Sequence, residues 1–257
     1  MAAEQLLAWS RPTDVPSPAV WGRHEHQGVQ YRVQEATPDL HEKILDYYVK
    51  EYFHDEPCSK NINLPDDEVS MAEFRFLLAT ALTQGSSLVV LEEGAPEGEP
   101  EIVGAMVIPV LSKRDPELPE FQGRGIRVML CLSDTLRSSS PFGDPFTRPE
   151  ALEGSVSPWA GPVPHFALDL GLWVRRDRRG RSLGLAILKA IPDMCRAFGI
   201  HHFSTPFTGA RSQGLAVKAG LKEISRLKYD AFLDPEGKPA FHNMPEVECV
   251  LMGIDIE

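Results

Sequence analysis

The chain has no apolar run able to cross a bilayer. Its longest apolar stretch, Ile102 to Leu111, falls far short of the roughly 20 residues a span requires. Cysteine is scarce: Cys58, Cys131, Cys195 and Cys249 lie far apart with no CxxC pair, which excludes a disulfide scaffold and a cysteine-rich zinc site. Positive charge is also short, with 26 Lys and Arg against 37 Asp and Glu, a net charge of −11. Such a field repels phosphate backbones and attracts cations such as amines, so nucleic acid is not an expected partner. His24, His26, His201 and His202 supply no three- or four-ligand set at usual spacings, and no metal is expected. The beginning, MAAEQLLAWSRPTDVPSP, lacks a basic start with a long apolar run and an Arg-rich amphipathic face, so the expected location is cytoplasmic.

What remains is an ordinary globular composition, 42% hydrophobic and 25% charged, over 257 residues with 22 Pro. This length suits one elaborated domain, expected to be a monomer without membrane contact. Residues 1–28 hold several Pro and Gly without periodicity and read as a loosely held arm; residues 29–257 read as the domain. Val29, Tyr31 and Val33 alternate as in a strand. A helix is predicted from Pro38 to about Phe53, and a second from about Asp66 to Gly85. Residues 87–91 and 102–108 form a predicted hairpin. Residues 112–165 hold one helix, around 126–136, within a long insertion that includes SSSPFGDPF and SPWAGPVP. From His165 the order is strand (166–174), helix (183–198, with Pro192 expected to kink it), strand (202–206), helix (212–219) and strands at 223–232 and 249–254. That is an α/β or α+β layered domain.

The most informative stretch runs a strand, Leu172-Trp-Val174, into Arg179-Gly-Arg-Ser-Leu-Gly184 and then a helix. Amides at a helix N-terminus lack partners within the helix and carry the positive end of its dipole, so a pyrophosphate can settle on them. Arg175, Arg176, Arg178, Arg179 and Arg181 are the one dense basic patch in an acidic chain. Taken alone, the turn also fits a basic loop with no ligand. It is neither a P-loop, for no GKS or GKT follows, nor a GxGxxG dinucleotide turn.

The pattern V-x4-R-G-x-x-x-G resembles the acetyl-coenzyme A turn of the GCN5-related N-acetyltransferase superfamily. The resemblance covers about residues 29–256. It implies that superfamily's fold: a mixed central sheet of about seven strands flanked by helices, with the insertion between the third and fourth strands. In the family pattern R/Q-x-x-G-x-G/A, Arg179 and Gly184 match, while Ser182 stands where the first glycine would be. By resemblance, the backbone of Leu172 and Val174 holds the pantetheine arm and thioester of acetyl-coenzyme A, the cosubstrate. The amides of Arg179, Gly180, Arg181, Ser182, Leu183 and Gly184 would hold its pyrophosphate.

Two further segments resemble the insect-type arylalkylamine N-acetyltransferases. Tyr52-Phe-His-Asp-Glu-Pro57 is similar to their F-x-x-D-E-P segment, which makes Glu56 the candidate general base. Without the resemblance, Asp55-Glu56-Pro57 reads equally as solvated carboxylates ending a helix. Ser204 to Gly220 is similar to the close of the superfamily's last helix, and Thr208 and Ser212, four apart, take the places of two serines implicated beside the carboxylate. The bland alternative is that Ser212 caps the helix and Thr208 packs in a turn. The superfamily's more common acid, a tyrosine, is Ala216 here. Tyr52 and Phe53 are candidates to present ring faces to an arylalkyl group, or simply to pack in the core. The implied reaction is direct transfer of acetyl to a primary amine of the dopamine, serotonin, tyramine or tryptamine type. The alternatives are an acyltransferase for polyamines or other small amines, and an inactive coenzyme-binding module. No cysteine lies in a Cys/base motif that an acyl-enzyme would require.

Overall fold

A computed structural model describes residues 6–94, 100–147 and 163–257. The apolar run of β3 (Leu88–Glu93) shows the logic of the fold. Its alternate residues face opposite ways: Leu88 and Val90 pack with one helix layer, Val89 and Leu91 with the other. A strand covered on both faces reads as a continuous apolar run. Around it lie β1 (Val20–His26), β2 (Val29–Glu35), β4 (Glu101–Met106) and β7 (Leu172–Val174), in the order β1-β2-β3-β4-β7 and antiparallel throughout. A second five-stranded sheet has the order β5-β6-β8-β10-β9, from β5 (Val110–Ser112), β6 (His165–Ala167), β8 (His202–Phe207), β9 (Lys222–Lys228) and β10 (Glu248–Asp255). The mixed α/β architecture is as expected; among the described residues it holds ten strands in two sheets, where about seven in one were expected.

One face is covered by α1 (His41–Tyr47) and α4 (Glu68–Leu82), whose Ile44, Leu45, Leu78 and Leu82 pack on Val89, Ile102 and Val107. Between them come a π-helical stretch (Tyr48–Tyr52), α2 (Phe53–Asp55) and α3 (Pro57–Asn61). The insertion contributes α5 (Arg124–Ser138), while most of its second proline-rich segment, residues 148–162, lies outside the described residues. The other face carries α6 (Leu183–Ala197), buried through Leu183, Ile187, Leu188, Ile191 and Met194, and α7 (Ala210–Lys218). Helix α6 runs through Pro192 as one element.

Two sequence expectations are corrected. The arm of residues 1–28 is not loose where it is described. Val20–His26 pairs with β2, Trp9 is buried beside Phe198, and Arg11 reaches across to the buried Glu35 at 2.9 Å. The strand expected over 166–174 is broken into β6 and β7. Ala167 pairs in parallel with Phe203 of β8, after which the chain peels away to join β4 in the other sheet. The break is held by the Tyr48 hydroxyl, which donates to the Gly171 carbonyl and accepts from Val107 N–H at 3.2 Å. Gly171 is at φ +135°, and a Cβ there would lie 2.6 Å from the Tyr52 ring, so only glycine fits the bend. Diverging after Ala167, β7 and β8 leave a V-shaped gap between them.

Candidate active site

That gap is a cleft of about 560 Å³. Its walls carry Leu172 to Val174 on one side, Pro206 to Thr208 on the other, the start of α6 at one end, and Tyr52, Asp55 and Glu56. In antiparallel pairing, residues alternate between bonding to the partner strand and facing away. Arg175 N–H donates to Val103 O at 3.0 Å, and Val174 is opposite Gly104, so the N–H groups of Leu172 and Val174 face away from β4, toward the cleft. Arg179 Nε donates to Val174 O at 3.0 Å.

The turn into α6 has the expected geometry with one adjustment. Gly180 is at φ +80° and Ser182 at φ +61°, and the N–H groups of Gly180 to Gly184 find no acceptor among the described residues. The Arg179 amide is excluded from this set, for it donates to Arg176 O at 3.3 Å. Ser182, where the acyltransferase pattern has glycine, occupies the left-handed region at a strain of roughly 1–2 kcal/mol. The Arg181 side chain turns away from the cleft to the Tyr31 hydroxyl at 2.7 Å, and its carbonyl lies 2.7 Å from His24 Nε2. Leu183 and Gly184 line the cleft; a Cβ on Gly184 would sit 3.4–3.5 Å from Leu215 and Leu172. Five amides on a helix N-terminus therefore fit a pyrophosphate, and the inward-facing N–H groups of β7 fit an amide-bearing arm extended along it.

The basic patch is already balanced by acids. Arg176 and Arg179 both grip Asp55, with Arg176 Nε at 2.9 Å and Arg179 Nη2 at 2.7 Å. The Arg176 guanidinium, with help from Arg179, holds the Asp55 carboxyl at about 2 against an ordinary 3.8. Arg178 pairs with Glu92, and Arg175 with Glu101 and Asp177. The patch is thus a lattice of ion pairs tying the turn to the segment that carries Glu56.

Glu56 is buried, not solvated as the bland reading of Asp55-Glu56-Pro57 has it. It caps α3, its Oε1 accepting from Cys58 N–H at 3.1 Å and its Oε2 from Ser59 N–H and Ser59 Oγ, both at 2.6 Å. It also faces the cleft, where Thr208 Oγ1 donates to Oε1 at 2.6 Å from the far wall. Ser212 lines the same cleft, but its hydroxyl donates to Gly209 O at 2.9 Å and does not touch Glu56. Tyr52 lines the cleft. Phe53 does not: it is 2% exposed and packs against Phe74, because consecutive helical residues point to different faces. Burial pushes the Cys58 thiol well above its usual range, which disfavours a thiolate beside Glu56.

The sequence reading missed Asp169, Arg211 and Leu215 in the lining. Asp169 had a signal, an acid inside the apolar run FALDLGLW just before a glycine. Its Oδ1 accepts from Gly171 N–H at 2.5 Å, and burial raises its carboxyl to about 7. Among the described residues no group of three His, Cys, Asp or Glu is placed to hold a metal ion, and no helix is long and apolar enough to cross a membrane.

A forked pair of strands with a nest of free amides at the following helix is the arrangement of the GCN5-related N-acetyltransferases, and the protein has that fold. No family sequence model and no curated protein sequence matches the chain. Among solved structures it is similar to a protein of the yellow fever mosquito Aedes aegypti classed as arylalkylamine N-acetyltransferase 7. The two are 26% identical over 97% of this chain and 100% of that one, with a TM-score of 0.81. Arylalkylamine N-acetyltransferase 2 of the same mosquito shares the fold at 16% identity over 88% of this chain and 99% of its own, TM-score 0.68. So does a Drosophila melanogaster polyamine N-acetyltransferase that forms N-acetylagmatine, at 18% identity over 88% and 100%, TM-score 0.62. In structure the chain is thus similar to insect arylalkylamine N-acetyltransferases, and an acetyltransferase activity is supported.

Proposed function

We propose that the protein transfers acetyl from acetyl-coenzyme A directly to the primary amine of an arylalkylamine, with Glu56 as general base. The observation that carries this reading is the 2.6 Å bond from Thr208 to Glu56, which joins the two cleft walls beside the free amides of the α6 turn. The amides of Gly180 to Gly184 hold the pyrophosphate, and the N–H groups of Leu172 and Val174 receive the pantetheine arm and thioester. Val174 N–H stabilises the negative charge that develops on the carbonyl oxygen.

An alkylamine has a pKa near 10, so at neutral pH only about one molecule in a thousand is a free nucleophile. A positioned base contributes roughly 10²–10⁴-fold. A carboxylate offers about four lone-pair positions, and Glu56 already accepts from Cys58 N–H, Ser59 N–H, Ser59 Oγ and Thr208 Oγ1. Of these donors Thr208 Oγ1 lines the cleft, so the path from amine to Glu56 runs through it: the hydroxyl accepts the amine's proton as its own passes to Oε1. Ser212 holds a water at the helix entry or helps protonate the departing thiolate. Tyr52 presents its ring to the arylalkyl group.

Thiol release from acetyl-coenzyme A tests the reading, with tryptamine, spermidine or no amine present. Release dependent on tryptamine is expected. A preference for spermidine makes the protein a polyamine acetyltransferase, and coenzyme binding without release under any condition makes it an inactive binding module.

A further inference from the structure

Conversion of an alkylammonium to an amide removes two protons from one nitrogen, one before the nitrogen attacks and one after. Glu56 with Thr208 offers a single path. Asp169 stands two residues beyond Ala167, the last residue joined to β8, at the closed end of the same cleft. Its Oδ1 accepts from Gly171 N–H, while Oδ2 has no donor and the carboxylate no cation among the described residues. Of the three cations that line the cleft, Arg178 is paired with Glu92 and Arg179 with Asp55, while Arg211 is exposed in the first turn of α7. The groups beside Asp169 are Tyr48 and Tyr52 from the π-helical stretch and Thr205 from β8, whose hydroxyl contacts the Asp169 carbonyl at 3.4 Å; Glu56 and Arg211 line the same cleft.

Resting on the acetyltransferase reading above, we infer that Asp169 is a second catalytic carboxylate, which receives the substrate ammonium on Oδ2 and takes the first of its two protons. The proton passes from nitrogen to Oδ2, leaving a neutral amine and a carboxylic acid. The nitrogen lone pair then forms the C–N bond to the thioester carbon. As the C–S bond breaks its electron pair leaves on sulfur, and the second proton passes through Thr208 to Glu56. One of the two protons ends on the thiolate and the other in solvent, so each turnover releases one proton with the thiol. Burial holds the Asp169 carboxyl at about 7, where it can both take and return a proton at neutral pH. Glu56 cannot perform both transfers while it accepts four protein hydrogen bonds.

The test uses a matched pair of acceptors, 2-phenylethylamine and its 2,2-difluoro analogue, whose fluorines make the nitrogen far less basic, so much of it is already neutral at pH 8. For Asp169→Asn, kcat/KM with 2-phenylethylamine is expected to fall at least about 100-fold, and its acid limb near pH 7 to vanish. With the difluoro analogue the loss should shrink to less than about fivefold. Equal losses with both amines, as a purely structural role or a misfolded variant would give, overturn the inference, as does an unchanged rate with 2-phenylethylamine. A wild-type protein that uses neither amine refutes the arylalkylamine acetyltransferase reading itself.

Discussion

Replacing Glu56 and Thr208 separately distinguishes a base from a helix cap, because the structure gives the two residues unequal structural burdens. In Glu56→Gln, one carboxylate oxygen becomes an NH₂ group. Whichever way the amide turns, that group faces two donors, either Cys58 N–H and Thr208 Oγ1 or Ser59 N–H and Ser59 Oγ. A buried donor without an acceptor costs about 1–3 kcal/mol, and each hydroxyl can rotate away, so the net loss is about one such donor. At roughly 2–4 °C per kcal/mol for a domain of this size, melting should fall by about 2–12 °C. Thr208→Val keeps the three bonds that cap α3 and removes only the bridging hydroxyl, so melting should move by no more than a few degrees. Both variants should lose at least about 100-fold in turnover. Thermal melts paired with amine-dependent thiol release, measured well below both melting points, read the difference. Thr208→Val with wild-type turnover would remove the hydroxyl bridge from the mechanism. Glu56→Gln that is less stable but fully active would reduce Glu56 to a cap.

Gly184→Val should raise the coenzyme dissociation constant at least about tenfold by isothermal titration, because its methyls would fill the space between Leu172, Val174 and Leu215 at the start of α6. An unchanged affinity would place the phosphate site elsewhere. Asp55→Asn tests the ion-pair lattice through acid stability. The Asp55 carboxyl sits at about 2 instead of 3.8, so its contribution is complete above pH 4 and fades as pH falls toward 2. The shift corresponds to about 2 kcal/mol, reduced to about 1 because the Arg176 and Arg179 side chains are 65% and 46% exposed. Urea midpoints should therefore drop more steeply between pH 4 and pH 2 in the wild type than in the variant. Parallel curves would mean that the pairing contributes nothing.

The parts of the fold written in local pattern were legible from sequence. The β-rich apolar run from Leu88 to Leu91, the helical spacing of α4 and α6, and the turn at Gly180 and Ser182 before α6 each act over one element, and the structure places each as read. What escaped depends on partners distant in the chain. Phe166 to Val174 reads as one strand because seven of its nine residues are apolar, with Asp169 and Gly171 the exceptions; the break comes from Tyr48, more than 120 residues upstream, clasping Gly171. The arginines around the turn read as a free anion patch because Asp55, Glu92 and Glu101, which balance them, are far away in sequence. Val20–His26 reads as loose because an edge strand owes its order to the neighbour it pairs with. Asp169 stayed hidden for the same reason, since its place at the cleft exists only once the strand breaks.

A crystal structure with acetyl-coenzyme A bound puts the account to its most direct trial. The account predicts pyrophosphate oxygens within hydrogen-bond distance of the Gly180 to Gly184 amides, the thioester carbonyl on Val174 N–H, and its carbon facing the gap where Thr208 meets Glu56. A coenzyme seated away from the α6 turn, or a thioester pointing out of the fork between β7 and β8, would contradict it.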